Sequence, residues 1–177
     1  MGDDFKDLFG GDWRPGEEGR DRNDDFRAEP ENRQRRALNE KEVKIVNVYE
    51  ALPDAAANQP VQHATFVLLR DNQGRELRIY VLRDVALAIS LALESEPPDR
   101  PFTHDLMKNI LDRLAVTVER VTIDDLWQET FYARITLDRN GETLDIDARP
   151  SDAIALALRY KAPIYVAEAV LEASSQE

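Results

Sequence analysis

The chain has 177 residues, contains no cysteine and only two histidines, and carries a formal net charge of −12. This composition excludes disulfides, thiolate metal sites and an all-histidine metal centre within one chain, and the length accommodates one domain with a hydrophobic core. The acidic charge argues against tight, non-specific nucleic-acid binding, although acidic residues can recruit a divalent cation to a phosphodiester.

Residues 1–40 differ in composition from the rest of the chain. They hold 12 acidic and 8 basic residues, and their scattered aromatic side chains show no core-forming pattern. We therefore predict a disordered acidic tail over residues 1–40 and one domain over residues 41–177. The tail segment DDFKDLFGGDW is interpreted as solubilising, with a docking motif as the alternative. Because no signal peptide or membrane-spanning apolar run is found, we expect a soluble cytoplasmic protein that does not associate with membranes.

The first half of the domain has the pattern of three strands followed by two helices. Strands are predicted over residues 44–52, 62–69 and 76–82, and helices over 85–94 and 104–115. Asp84 and Thr103 are the predicted N-caps of these helices. The second helix is amphipathic, and the residues on its apolar face are Leu106, Ile110, Leu111 and Leu114.

The second half repeats this pattern. Residues 116–127 are a long strand or a strand with a turn, and strands follow over 130–137 and 142–148. A helix from Pro150, a short strand over 164–166 and a helix over 167–173 complete it. Thr65-Phe66 and Thr130-Phe131 lie 65 residues apart, as do Ala88-Ile89 and Ala153-Ile154. We therefore predict an α+β domain built from a duplicated unit of three strands and two helices. Its mixed or antiparallel sheet packs on the two Ala-rich helices.

A strand-to-helix junction in the second half collects polar residues. Leu144, Ile146 and Ala148 alternate with Asp145, Asp147 and Arg149, as in a half-buried strand. Pro150 suits the first turn of a helix, and Ser151 and Asp152 can cap that turn or favour its positive dipole end. Such a junction can bear a functional site. Capping together with an Asp–Arg ion pair explains the same residues and is the favoured interpretation from these residues alone.

Two candidate groups stand at predicted helix N-termini. His104 and Asp105 open a helix whose backbone N–H groups can hold a phosphate, with His104 as a proton carrier; a solvent-facing first turn is the equal alternative. Ser151 has no histidine nearby in sequence, so a helix cap is favoured over a nucleophile. No phosphate-binding glycine loop, serine-hydrolase elbow or zinc-protease motif occurs.

Charged residues of the second half provide the other candidates. Asp147, Asp152 and Glu168 would form a carboxylate site for Mg²⁺ or Mn²⁺ if the strand–helix–strand unit folds back on itself. Arg134 and Arg149 would bind phosphate or pair with these acids. Unrelated surface carboxylates are the alternative.

The segments RPFTHDLMKNILDRL, TFYARITL and DARPSDAIALALRYKAPIYVAEAVL resemble the bifunctional nuclease domain family over residues 43–171. The resemblance implies an α+β domain that self-associates, and, for plant members, hydrolysis of both DNA and RNA. The chain departs from the family in its first half, where Leu82 and Val85 replace a glycine and a glutamate. The family motif positions correspond to His104, Asp105, Phe131, Tyr132, Ala133, Arg134, Asp147, Arg149, Pro150, Ser151, Asp152 and Glu168.

We therefore predict a metal-assisted nuclease that acts on DNA or RNA and forms homo-oligomers; the alternative is a non-catalytic module that binds a protein or a nucleotide. In the nuclease, carboxylates hold the divalent cation, arginines steady the phosphate and His104 transfers a proton. The predicted catalytic residues are His104, Asp105, Asp147, Arg149 and Asp152. The predicted substrate-binding residues are Arg134, Arg149 and Ser151, and the predicted metal ligands are Asp147, Asp152 and Glu168.

Overall fold

A computed structural model describes residues 39–51, 64–96 and 98–174 of the chain. The strands are β1 (Glu40–Ala51), β2 (Ala64–Asp71), β3 (Glu76–Val81), β4 (Thr117–Trp127), β5 (Thr130–Arg139), β6 (Glu142–Ala148) and β7 (Ile164–Ala167). The helices are α1 (Arg83–Glu94), α2 (Thr103–Arg113), α3 (Pro150–Tyr160) and α4 (Glu168–Ser174). The predicted tail, apart from its last two residues, and the predicted strand residues 52, 62 and 63 lie outside the described residues.

The seven strands form one mixed sheet in the order β3-β2-β1-β7-β4-β5-β6. Neighbouring strands are antiparallel except β4 and β7, which run parallel. The two three-stranded units therefore lie on either side of β7, in mirrored order. Ile164 of β7 pairs with Val43 of β1 on one side and with Val121 of β4 on the other. This arrangement confirms the predicted α+β fold.

The core lies between the sheet and the Ala-rich helices. Alternate residues of the strands are buried, including Val67, Leu69, Val121 and Ile123, each at 0% exposure. Helix α3 contacts α1 and also β4 and β5. Every residue from Ala153 to Ala157 is buried, and the small alanine side chains allow neighbouring elements to approach the helix closely. The predicted central position of this helix is correct.

Local sequence explains where several elements begin and end. The β5–β6 hairpin turns at Asn140 and Gly141, whose φ angles of 53° and 85° suit the two-residue turns that match strand twist. Pro150 occupies the first turn of α3, where its missing N–H costs nothing. Lys161, with a φ of 54°, ends that helix in the left-handed conformation.

The predicted N-caps Asp84 and Thr103 are wrong by two positions and one position. The residues at the N-cap positions of α1, α2 and α3 are Leu82, Phe102 and Arg149, and none of them caps through its side chain. The predicted caps instead lie within the first turns. A carboxylate in the first turn interacts favourably with the positive end of the helix dipole, as a carboxylate at the N-cap does. The local sequence therefore hardly distinguishes the two positions.

Two predicted apolar faces are more exposed than expected. On α2, Leu106 and Ile110 are 54% and 49% exposed, and Leu114 at its C-cap is 62% exposed, whereas Leu111 packs against the core. Within the described residues this helix packs against α3, and the apolar side chains named above are exposed on its other side. On β6, which is an edge strand of the described sheet, Ile146 is 46% exposed.

The described ranges contain no helix that is long and apolar enough to cross a membrane.

Candidate active site

The N-termini of α2 and α3 bring together a histidine and an aspartate that lie 48 residues apart in sequence. His104 Nε2 lies 3.1 Å from Asp152 Oδ1. His104 is buried at 6% exposure, so the structure excludes the solvent-facing alternative for this side chain. Both residues occupy the first turn of their helices, where the helix dipole and free backbone N–H groups favour negative charge.

Arg149 binds the other oxygen of the same carboxylate. Its Nε donates a hydrogen bond of 2.7 Å to Asp152 Oδ2. The arginine side chain is 68% exposed, and its terminal nitrogens have no bonding partner among the residues that the structure describes. Arg149 therefore pairs with Asp152 while presenting the rest of its guanidinium to solvent.

We call His104, Arg149 and Asp152 the triad. The charge of each member follows from its contacts. Burial alone would raise the pKa of Asp152, but hydrogen bonds from Arg149 and His104 outweigh it and lower the pKa below its ordinary value. An ionised carboxylate only accepts hydrogen bonds, so the imidazole Nε2–H donates to Asp152. Among the described residues His104 Nδ1 has no hydrogen-bond partner, and it is the atom that can accept a proton.

Asp105 is next to His104 in sequence but binds a different residue, Arg159. Its carboxylate accepts a hydrogen bond of 2.6 Å from Arg159 Nε and one of 3.0 Å from the backbone N–H of Phe102. Arg159 also donates to the backbone carbonyls of Ala155 and Ala88. The pair thus connects α2 and α3 to α1. The sequence analysis missed Arg159, although a lone arginine in an otherwise apolar helix is a signal for a buried ion pair.

Two of the predicted site residues, Arg134 and Asp147, lie on β5 and β6, the strands that lead to the junction between β6 and α3. Arg134 faces Asp147 across the β5–β6 pair. However, Arg134 donates hydrogen bonds to Asp124 Oδ2 at 2.8 Å and to Asp145 Oδ2 at 3.4 Å. Asp147 is exposed, and no described residue forms a hydrogen bond or ion pair with its side chain. Arg134 is therefore occupied by carboxylates other than the predicted one.

Ser151 follows Pro150 in the first turn of α3 and is partly exposed. Its side chain makes no hydrogen bond to any residue in the described part of the chain. It lies between Arg149 and Asp152 in sequence and can therefore contribute to a site at this junction.

Glu168 lies at the start of α4, where it meets basic residues from the first half of the chain. Its carboxylate accepts a hydrogen bond of 2.6 Å from Arg75 and lies 3.5 Å from Lys41 Nζ. The part of the chain that the structure describes contains no group of three or more histidine or carboxylate side chains positioned to hold a metal ion. The predicted ligands Asp147, Asp152 and Glu168 thus do not form one ligand set and do not fit a shared Mg²⁺ or Mn²⁺ ion.

The triad combines three chemical functions at one place. The imidazole leaves its ring nitrogen Nδ1 available for proton transfer, the carboxylate fixes the orientation and tautomer of the ring, and the exposed guanidinium can bind an anion. This combination suits acid–base chemistry on a negatively charged substrate such as a phosphodiester. It consists of residues that the sequence analysis proposed, namely His104, Arg149 and Asp152.

Comparisons with known proteins place these residues within a family. Residues 67–177 match the family model of the bifunctional nuclease domain. Two strains of Mycobacterium tuberculosis have a protein called uncharacterized that is 42% identical over 131 residues, covering 73% of this chain and 73% of that protein. Bifunctional nuclease 1 of Oryza sativa subsp. indica is 31% identical over 107 residues, or 59% of this chain and 32% of the rice protein.

A second plant relative is also similar to part of this chain. Bifunctional nuclease 2 of Arabidopsis thaliana is 32% identical over 108 residues, which cover 59% of this chain and 33% of the Arabidopsis protein. The chain thus spans about a third of the length of these plant relatives. The family match includes His104, Arg149 and Asp152, and it extends over more than half of the chain. The chain belongs to the bifunctional nuclease domain family.

Proposed function

We propose that this protein hydrolyses phosphodiester bonds in DNA, RNA or both, at the site formed by His104, Arg149 and Asp152. The observation that carries the proposal is the hydrogen-bonded His104–Asp152 pair beside an exposed arginine that shares the same carboxylate. Family membership and the names of the plant relatives support the same reaction class. Homo-oligomer formation stays a prediction from the family resemblance.

His104 is the proposed acid–base group. Asp152 holds the imidazole through Nε2, so that Nδ1 accepts a proton from the attacking water molecule. The oxygen of this water forms a bond to phosphorus while the bond from phosphorus to the leaving oxygen breaks. The imidazolium then returns the proton to the leaving oxygen, which completes hydrolysis and restores the neutral histidine.

Arg149 is the proposed phosphate-binding group. Its Nε is bound to Asp152, and its exposed terminal nitrogens would donate to the non-bridging oxygens of the phosphate. Negative charge on these oxygens grows during attack, and a fixed cation lowers the barrier by stabilising it. Ser151, at the exposed start of α3, would add its hydroxyl group to the same phosphate.

The proposal is tested by cleavage assays with single-stranded DNA, plasmid DNA and RNA, each in Mg²⁺, Mn²⁺ or EDTA. None of the steps above is assigned to a metal ion, so the EDTA series measures metal dependence separately. The key variant is His104→Gln, whose amide can still donate to Asp152 but cannot titrate. We expect it to lower kcat by about 100-fold or more while its melting temperature stays close to that of the wild type.

Arg149→Gln should raise KM and lower kcat, because the bound phosphate and the charge that grows on it during attack both lose their cation. Arg139→Gln, a change of an exposed arginine outside the triad, should have no effect. Absence of cleavage by the wild type under every metal condition would refute the proposal. Wild-type kcat in His104→Gln would refute the assigned role of the histidine.

A further inference from the structure

Three aromatic side chains form a row across the first three strands of the sheet. Tyr49 of β1 is directly opposite Phe66 of β2, and Phe66 is directly opposite Tyr80 of β3. The rings of Tyr49 and Phe66 stack with centroids 5.5 Å apart, and those of Phe66 and Tyr80 are 5.8 Å apart. We call Tyr49, Phe66 and Tyr80 the aromatic platform.

The aromatic platform lies on the sheet face opposite to the core. Along β2, Phe66 alternates with buried Thr65 and Val67, and along β3, Tyr80 follows buried Ile79. Tyr49 is 40% exposed and Tyr80 is 64% exposed. Cross-strand aromatic pairs stabilise a sheet, but that role alone does not require large apolar rings to remain open to solvent.

The charge around the aromatic platform differs from that of the whole chain. The guanidinium of Arg78 lies 5.7 Å from the centre of the Phe66 ring, and within the described ranges no carboxylate forms an ion pair with it. Two acidic groups of the same strands are already paired, since Glu76 binds Arg70 and Glu50 binds Arg83. Within the described residues of this acidic protein, the face therefore presents a cation without an ion-pair partner beside exposed aromatic rings.

We propose that the aromatic platform binds single-stranded nucleic acid, with bases stacking on Tyr80 and Tyr49 and the guanidinium of Arg78 binding the backbone phosphate. Every base offers a face to an aromatic ring, so such binding tolerates different sequences. Bases in a duplex are stacked on one another and cannot lie on a flat protein face without unpairing. The inference rests on the proposed nuclease function and specifies its substrate as single-stranded.

The test is fluorescence anisotropy with labelled oligo(dT) and oligo(U) of about 12 nucleotides, a length within the range that one sheet face covers. Measurements are made in EDTA at low salt, with the wild type and with the His104→Gln variant, so that binding is read without cleavage. Tyr80→Ala should weaken binding about tenfold or more. Tyr80→Phe keeps the ring and should bind like the wild type.

Trp127→Ala is the matched control, because Trp127 is an aromatic side chain of similar exposure, 61%, at the end of β4. This variant should bind oligonucleotides as tightly as the wild type does. A duplex of the same length should bind more weakly than the single strand. Arg78→Gln should weaken binding and reduce its salt dependence, because one phosphate contact is lost.

Several outcomes would overturn the inference. They are absence of single-strand binding by the wild type, unchanged binding by Tyr80→Ala, and duplex binding as tight as single-strand binding. Sedimentation provides a further check: if Tyr80→Ala changes the oligomeric state but not oligonucleotide binding, this face is covered by a second copy of the chain and the inference fails.

The two proposals fail separately. Cleavage by the wild type with unchanged binding by Tyr80→Ala would leave the nuclease proposal standing and remove the aromatic platform. Binding that depends on Tyr80, without cleavage under any metal condition, would support the platform and remove hydrolysis.

Discussion

Arg159 Nε lies 2.6 Å from Asp105 Oδ1, and the arginine side chain is only 7% exposed. The same guanidinium donates to the carbonyl oxygen of Ala88, so one side chain of the second half holds together helices from both halves of the duplicated domain. The contact explains why a carboxylate next to His104 is engaged in structure and not in the triad.

We predict that Asp105→Ala lowers the free energy of unfolding by about 3 kcal/mol, because a buried guanidinium loses its carboxylate. The measurement is urea unfolding followed by circular dichroism. The control is Asp84→Ala, which removes an exposed carboxylate from the first turn of α1 and should change stability little. Equal effects of the two substitutions would show that Asp105 acts only on the helix dipole.

The pH dependence of stability should report on the same pair. Burial alone would raise the pKa of Asp105, but the bonds from Arg159 and the Phe102 N–H outweigh it and lower the pKa. A carboxyl whose pKa is lower in the folded state contributes stability above its unfolded pKa, about 4, and this stability is lost as pH falls further.

The unfolding midpoint of the wild type should therefore fall more steeply below about pH 4 than that of Asp105→Asn, which cannot titrate at this position. Urea midpoints measured across this pH range provide the comparison. Parallel curves for the two proteins would contradict the assigned pKa direction.

Glu168→Gln should lower the melting temperature, because Glu168 ties α4 to Arg75, which also donates to the buried carboxylate of Asp71. We expect cleavage activity and its response to Mg²⁺ or Mn²⁺ to remain unchanged. Glu172→Gln, an exposed change on the same helix, is the control for both measurements. Loss of cleavage at an unchanged melting temperature would instead place Glu168 in the active site.

Ala157→Leu should destabilise the protein by about 1–3 kcal/mol, because Ala157 is completely buried in α3 and a larger side chain overpacks the core. Ala173→Leu, at an exposed position of α4, adds the same atoms without that constraint. Differential scanning calorimetry of both variants separates packing from helix propensity. A neutral Ala157→Leu variant would mean that the contact between α3 and the sheet is loosely packed.

The duplicated fold was predictable because its signals are local and repeated. Thr65 and Thr130 lie in equivalent strands β2 and β5, and Ala88 and Ala153 lie in equivalent helices α1 and α3. Hydrophobic period identified these elements, and their common spacing identified the duplication. Period alone does not tell whether another element covers an apolar face, which is why Ile110 was expected on a packed face and is exposed.

The site was predictable only in part, for the same physical reason. Motif positions identified His104, Arg149 and Asp152, but their pairing depends on how α2 packs against α3. Arg75 and Glu168 are 93 residues apart, and nothing in the local pattern of either indicates the other. Contacts of this kind are set by the tertiary fold, and sequence periodicity carries no information about them.

The position of β7 has a consequence for the order in which the protein is made. Among the described strands β7 is the last to leave the ribosome, yet it lies at the centre of the sheet between β1 and β4. Until residues 164–167 emerge, both completed units expose an unpaired inner strand, and exposed strand edges promote aggregation. A nascent chain stalled before Ile164 therefore carries two open strand edges, one on β1 and one on β4.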